Sequence, residues 1–134
     1  MKRETKFRAW DTITKTYWYD CITIRMDGTI DYLNELGAWT QDSENRFILE
    51  QFTGLRDKSN PVKDIYEGDL FQTKHSNYLD EVYYDERDSG FRLRFNGEMQ
   101  YDKTKSIMFA HCDVIVGNVR QNPELKEKNY GKEL

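Results

Sequence analysis

Phe91-Arg92-Leu93-Arg94-Phe95, followed at once by Asn96-Gly97, reads as one strand and the turn that ends it. Phe91, Leu93 and Phe95 fall on one side of an extended chain, Arg92 and Arg94 on the other. Asn-Gly is the strongest short hairpin signal, so 98–101 is expected to pair back on the strand. Upstream, Glu81-Val82-Tyr83-Tyr84-Asp85 reads as its other neighbour, joined by a loop over 86–90, and 69–74 as an earlier strand. Downstream, Val114-Ile115-Val116-Gly117-Asn118-Val119 reads as a fully buried strand. Between them, Thr104, Ile107, Met108 and His111 would share one face of a helix. Residues 65–119 thus hold about five strands, the count and spacing of a small SH3-like β-barrel. Its opening turn would be 65–69, where Gly68 permits positive φ and Asp69 can bond backbone amides.

The first third is also β in pattern. Lys6-Phe7-Arg8-Ala9-Trp10 starts an alternating run, and 17–24 is rich in aromatic and β-branched residues. Asp27-Gly28 marks a hairpin before Thr29-Ile30-Asp31-Tyr32. Residues 33–39 suggest a short helical turn and 40–45 a polar loop. Arg46-Phe47-Ile48-Leu49-Glu50-Gln51-Phe52 reads as a buried strand, with Phe47 and Leu49 on one face and Ile48 and Phe52 on the other. Residues 53–63, with a Gly, an Asn-Pro and several charges, read as connector. The expectation is a mainly β chain of one domain over 1–134. An N-terminal β region (1–53) packs on a barrel portion (65–119), and a charged tail (124–134) frays.

Composition narrows the function. The 134 residues carry a formal charge of −4, which argues against bulk nucleic-acid binding by counterion release. Mean hydropathy is −0.91, and no run approaches membrane-spanning length. Nine Tyr, seven Phe and three Trp supply apolar area with polar handles, which suits contact surfaces. Cys21 and Cys112, without a leader sequence, read as free thiols of a reducing cytoplasm.

Three segments together resemble the YopX-like family of phage and prophage proteins. They are Lys6-Phe7-Arg8-Ala9-Trp10-Asp11; Gln51-Phe52-Thr53-Gly54-Leu55-Arg56-Asp57-Lys58 continuing to Ile65-Tyr66-Glu67-Gly68-Asp69; and Val116-Gly117-Asn118-Val119 with Asn122-Pro123-Glu124-Leu125. The family usually has Asn-Gly after the Lys of the second segment, where this chain has Ser59-Asn60-Pro61-Val62, so the turn there must differ. The resemblance implies an SH3-like barrel part, a setting in the bacterial cytoplasm and self-association. It implies no activity and no cofactor. The signature residues Thr53, Gly54, Leu55, Asp57, Tyr66, Glu67, Gly68, Asp69, Gly117 and Asn118 read as turn-formers rather than catalysts.

The candidates for chemistry are few. His75, His111, Cys21 and Cys112 lack the close ligand pairs of a zinc site. Cys112 beside His111 imitates a nucleophile and base, but a buried apolar Cys is the commoner role. Asp57, Asp64, Glu67 and Asp69 could hold Mg²⁺, though such residues also cap turns. Arg92 and Arg94, near Phe91, Phe95, Tyr83 and Tyr84, could line a single-strand nucleic-acid groove. The expected function is a non-catalytic accessory protein that self-associates and contacts host or phage protein. Single-strand nucleic-acid binding is the alternative, and a metal-dependent enzyme the remote one.

Overall fold

The computed structural model describes residues 5–72, 79–87, 89–95, 104–106 and 114–125. The chain is mostly strand. A four-stranded sheet has the order β2-β1-β6-β7, built from β1 (Phe7–Asp11), β2 (Thr16–Trp18), β6 (Phe47–Arg56) and β7 (Asp64–Tyr66). A three-stranded meander joins β3 (Ile22–Ile24), β4 (Ile30–Leu33) and β5 (Trp39–Gln41). A curled five-stranded sheet has the order β11-β10-β9-β8-β12. Its strands are β8 (Asp69–Gln72), β9 (Leu79–Asp85), β10 (Gly90–Phe95), β11 (Thr104–Ser106) and β12 (Ile115–Asn118). The small barrel-like fold expected from the alternation is the one observed.

Pairing register shows why these elements form. Phe91 lies opposite Tyr84 and Leu93 opposite Val82, so the apolar parity of β10 meets that of β9. Ile65, Phe71, Val82 and Leu93 make the innermost cluster, with Leu55, Phe91 and Ile115 packed around it. Full burial of side chains this size stabilises by about 1.5–3 kcal/mol each.

β1 is an interior strand of the four-stranded sheet. Its odd positions Phe7, Ala9 and Asp11 share a face with Leu49, Phe47 and Trp18, and its even positions Arg8 and Trp10 share the other with Glu50, Ile48 and Tyr17. The odd face lies toward the meander: Trp18, Tyr32 and Phe47 stack there with centroids 5.0–6.3 Å apart. The even face lies toward the five-stranded sheet, which Arg8 reaches through Asp69.

Several sequence expectations are corrected. The run 17–24 is two strands, because Cys21 takes a positive φ of 60° and turns the chain from β2 into β3. Residues 33–39 are not helical: Asn34 Oδ1 accepts the amides of Leu36 and Ala38 and forms the β4–β5 turn. The polar segment after it begins as β5. The connector is shorter than expected, since β6 continues through Arg56 with its register broken between Phe52 and Arg56, where Gly54 has a φ of 90°. β12 is not fully buried; it ends its sheet, and Val114 and Val116 are exposed. Thr104–Ser106 is strand, not helix. It pairs with Arg92–Arg94 so that Arg94 opposes Thr104, later than a tight Asn-Gly turn would place it. Asn96-Gly97, 98–101, His75, 107–113 (with His111 and Cys112) and the tail 126–134 lie outside the described residues.

Candidate functional site

A buried ionic cluster joins the four-stranded and five-stranded sheets, and it contains much of the sequence signature. Arg8 lies directly across from Glu50 in the β1–β6 ladder. Its Nε donates to Glu50 Oε1 (2.8 Å), and its Nη2 donates to Asp69 Oδ1 (2.9 Å) and to the Glu67 carbonyl (3.1 Å). The guanidinium lies between two tyrosine rings, 4.2 Å from the centroid of Tyr17 and 4.7 Å from that of Tyr66. Tyr17 Oη donates to Glu50 Oε1 at 2.7 Å and lies 3.2 Å from Asn118 Oδ1, which brings β2 and β12 to the same point. Arg120 Nε reaches Glu50 Oε2 at 3.4 Å. Arg8, Glu50, Asp69 and Asn118 are all buried.

The turn at 66–69 is shaped to deliver Asp69. Its Oδ2 accepts the Tyr66 amide (2.8 Å), as the sequence pattern suggested. Gly68 has a φ of 86°, donates its amide to Val82 and accepts that of Val119 at its carbonyl. A Cβ at Gly68 would lie 2.9 Å from Glu50 Oε2, an oxygen already placed by the cluster. At Gly117 the constraint is close packing: a Cβ there would meet Asn122 Oδ1 at 2.7 Å and Leu125 Cδ1 at 2.9 Å.

Burial sets the electrostatics. It pushes the Asp69 carboxyl up to about 6, against the opposing pull of Arg8 and the Tyr66 amide. It pushes Glu67 upward too, and Tyr17 well above the usual phenol range. Burial alone would lower Arg8, but Asp69 and Glu50 outweigh it, so the guanidinium stays charged. A cleft of about 450 Å³ opens beside the cluster, lined by Arg8, Tyr66, Asp69 and Asn118 with Tyr19 and Lys63 at its mouth.

The carboxylates proposed for Mg²⁺ do not converge. Asp64 pairs with Lys6 (2.6 Å) and Arg56 (2.9 Å). Glu67 Oε1 accepts the Gln51 amide. Asp57 accepts the amides of Ser59, Lys63 and Ile115, which outweigh its burial and hold its pKa below the ordinary value. Among the described residues no three His, Cys, Asp or Glu side chains stand together to hold a metal. Thr53 Oγ1 donates to the Ile65 carbonyl, and Leu55 packs on the core cluster. Cys21 is an exposed free thiol. Arg94 pairs with Glu81 at 3.1 Å and covers the Tyr83 ring, and Arg92 lies opposite Tyr83 in the ladder.

The signature is therefore a joint: Tyr66, Glu67, Gly68, Asp69 and Asn118 surround Arg8, while Thr53, Gly54, Leu55 and Asp57 brace the approach. A match to the model of the YopX protein family spans residues 6–127, covering every one of these positions. The chain belongs to the YopX family. The chain is also similar in fold to the crystal structure of protein EF1440 from Enterococcus faecalis. That likeness has 24% identity and a TM-score of 0.61, over 93% of this chain and 99% of that one. Among curated proteins the comparison finds no match. Sequence reading had named the turn but not its partners Arg8, Glu50 and Tyr17. The available signal was opposite charge at one parity of two apolar strands: Arg8 between Phe7 and Ala9, and Glu50 between Leu49 and Gln51.

Proposed function

We propose that this YopX-family chain is a phage- or prophage-encoded accessory protein of the bacterial cytoplasm, and that it is a non-catalytic module which binds protein, first of all copies of itself. One observation carries the reading. Residues 12–46 form ordered strands and turns, yet none of them is buried. That segment leaves Ile13, Tyr19, Ile24, Met26, Leu36 and Trp39 exposed, Met26 and Leu36 almost wholly. Ordering a residue costs about 1–2 kcal/mol, and a sheet whose residues are at most half-buried recovers less of it than a core sheet does. Exposed apolar groups gathered on one lobe are the mark of a contact surface. The non-catalytic part is supported by the carboxylates described above, each already engaged by internal donors. The phage setting rests on the resemblance of the three sequence segments, and no helix of the described residues is long and apolar enough to cross a membrane.

Light scattering over a concentration series tests the proposal. The expected result is a mass above that of one chain, falling on dilution. A single-chain mass persisting at high micromolar concentration overturns it.

A further inference from the structure

We infer that self-association, on the reading just given, runs through the outer edge of β5, which pairs antiparallel with β5 of a second copy. Edge strands offer unpaired amides to other chains, and natural sheets usually blunt them. Two edges in this molecule are blunted. The outward amide of Tyr66 on β7 is taken by Asp69 Oδ2, and on β12 the Ile115 and Asn118 amides are taken by Asp57 Oδ2 and Asn122 Oδ1. On the β5 edge one outward group is engaged, the Gln41 carbonyl, which accepts the Ser43 amide at 3.0 Å and keeps its second lone pair. Asn34 N donates to the Ala38 carbonyl and Asp42 N to that of Ile30, so positions 38 and 42 point their backbone groups toward β4. Trp39 and Gln41 therefore point theirs outward. Among the described residues no side chain caps those two amides. On the opposite edge, β3, Ile22 and Ile24 line a narrow cleft shared with Phe7 and Leu49.

The occupant follows from the strand's own chemistry. Residues 36–41, Leu-Gly-Ala-Trp-Thr-Gln, contain no charge and no proline. Two copies laid antiparallel bring no like charges together. With the two-fold axis at Thr40, Trp39 of each copy exchanges backbone hydrogen bonds with Gln41 of the other, and the contact closes on itself as a dimer. Trp39 is 55% exposed and already lies opposite Leu33 in its own sheet. Pairing would cover it and join two meanders into one six-stranded sheet.

The experiment combines light scattering with amide hydrogen exchange on the intact chain, and repeats both on Gln41→Pro, which removes an outward N–H that the monomer does not use. In the wild type the Trp39 and Gln41 amides should gain protection as concentration rises, in step with the mass. Gln41→Pro should keep the circular dichroism of the wild type and lose the concentration-dependent mass. Oligomers whose Trp39 and Gln41 amides exchange freely overturn this edge while leaving self-association standing. So does a folded Gln41→Pro that still associates. A wild type monomeric at every concentration removes both readings. If Gln41→Pro fails to fold, the wild-type exchange pattern alone decides.

Discussion

The two faces of β1 make different kinds of contact. On the even side, Arg8 locks the four-stranded sheet to the five-stranded one through short, buried bonds to Glu50 and Asp69, with the half-buried Tyr17 bonded to Glu50 beside them. On the odd side, the meander rests on the buried Phe47 and the half-buried Trp18, and none of its own residues is buried. The odd side has one strong pair: Arg46 grips Asp11 through two bonds of 2.9 and 2.8 Å. The 66–69 turn of the YopX signature lies with the closed side. A joint that buries charge tolerates few substitutions, since every partner lost strands another charge. A lobe held by partly exposed apolar contact loses less when one residue changes.

Removing the central cation tests that contrast most severely. Arg8→Ala leaves Asp69 buried without its counter-charge and Glu50 with only the 3.4 Å Arg120 contact, a loss of about 3–5 kcal/mol, enough to unfold many small domains. Trp39→Ser, on the open side, should change monomer stability by no more than about 0.5 kcal/mol. Chemical denaturation of both variants below the association range measures the pair. Equal losses would mean that the two sides are bound alike.

A smaller effect is expected at Gly68. Alanine there must hold a left-handed backbone, at about 1–2 kcal/mol, and must also displace Glu50 Oε2. The variant should melt several degrees lower and lose self-association only as far as it unfolds. An unchanged melting temperature with association abolished would turn the 66–69 turn from a joint into a contact surface.

The two sides also differ in pH response. Asp69 is raised from 3.8 to about 6, so the stability tied to its neutral form is whole below pH 3.8 and is lost as pH rises through about 6. Asp11 has the opposite sign. Bonds from Arg46 and Thr14 outweigh its burial and hold it far below the carboxylate range, so its contribution is present above 3.8 and lost as pH falls. Carboxyl NMR should find Asp69 titrating near 6 while Asp11 stays ionised to the acid limit. Asp69→Asn should flatten the stability profile between pH 4 and 7. An Asp69 midpoint near 4 would show that Arg8 outweighs burial, and the two sides would then respond alike.

Strand identity was legible wherever parity and composition agreed. The Phe91–Phe95 alternation, the Asp27-Gly28 hairpin and the opposite faces of β6 are all local properties of a chain whose side chains alternate every residue. The turn at 66–69 was legible too, because Gly68 and Asp69 are what such a turn requires. Legibility failed where a neighbour set the outcome. Residues 33–39 look helical until Asn34 bonds the amides of Leu36 and Ala38. The stretch 114–119 looks buried because its residues are apolar, but exposure depends on its place at the sheet edge.

By itself the sequence determined that the chain is β, where most strands lie, and that its signature belongs to turns. Those properties arise from contacts within a few residues. Only the tertiary structure decided that Arg8 meets Asp69, sixty-one residues away, that Glu50 and Tyr17 complete its cage, and that the meander is left uncovered. A buried charge is stable only beside its partner, and which charges become partners depends on how the sheets stack, which strand-by-strand patterning leaves open.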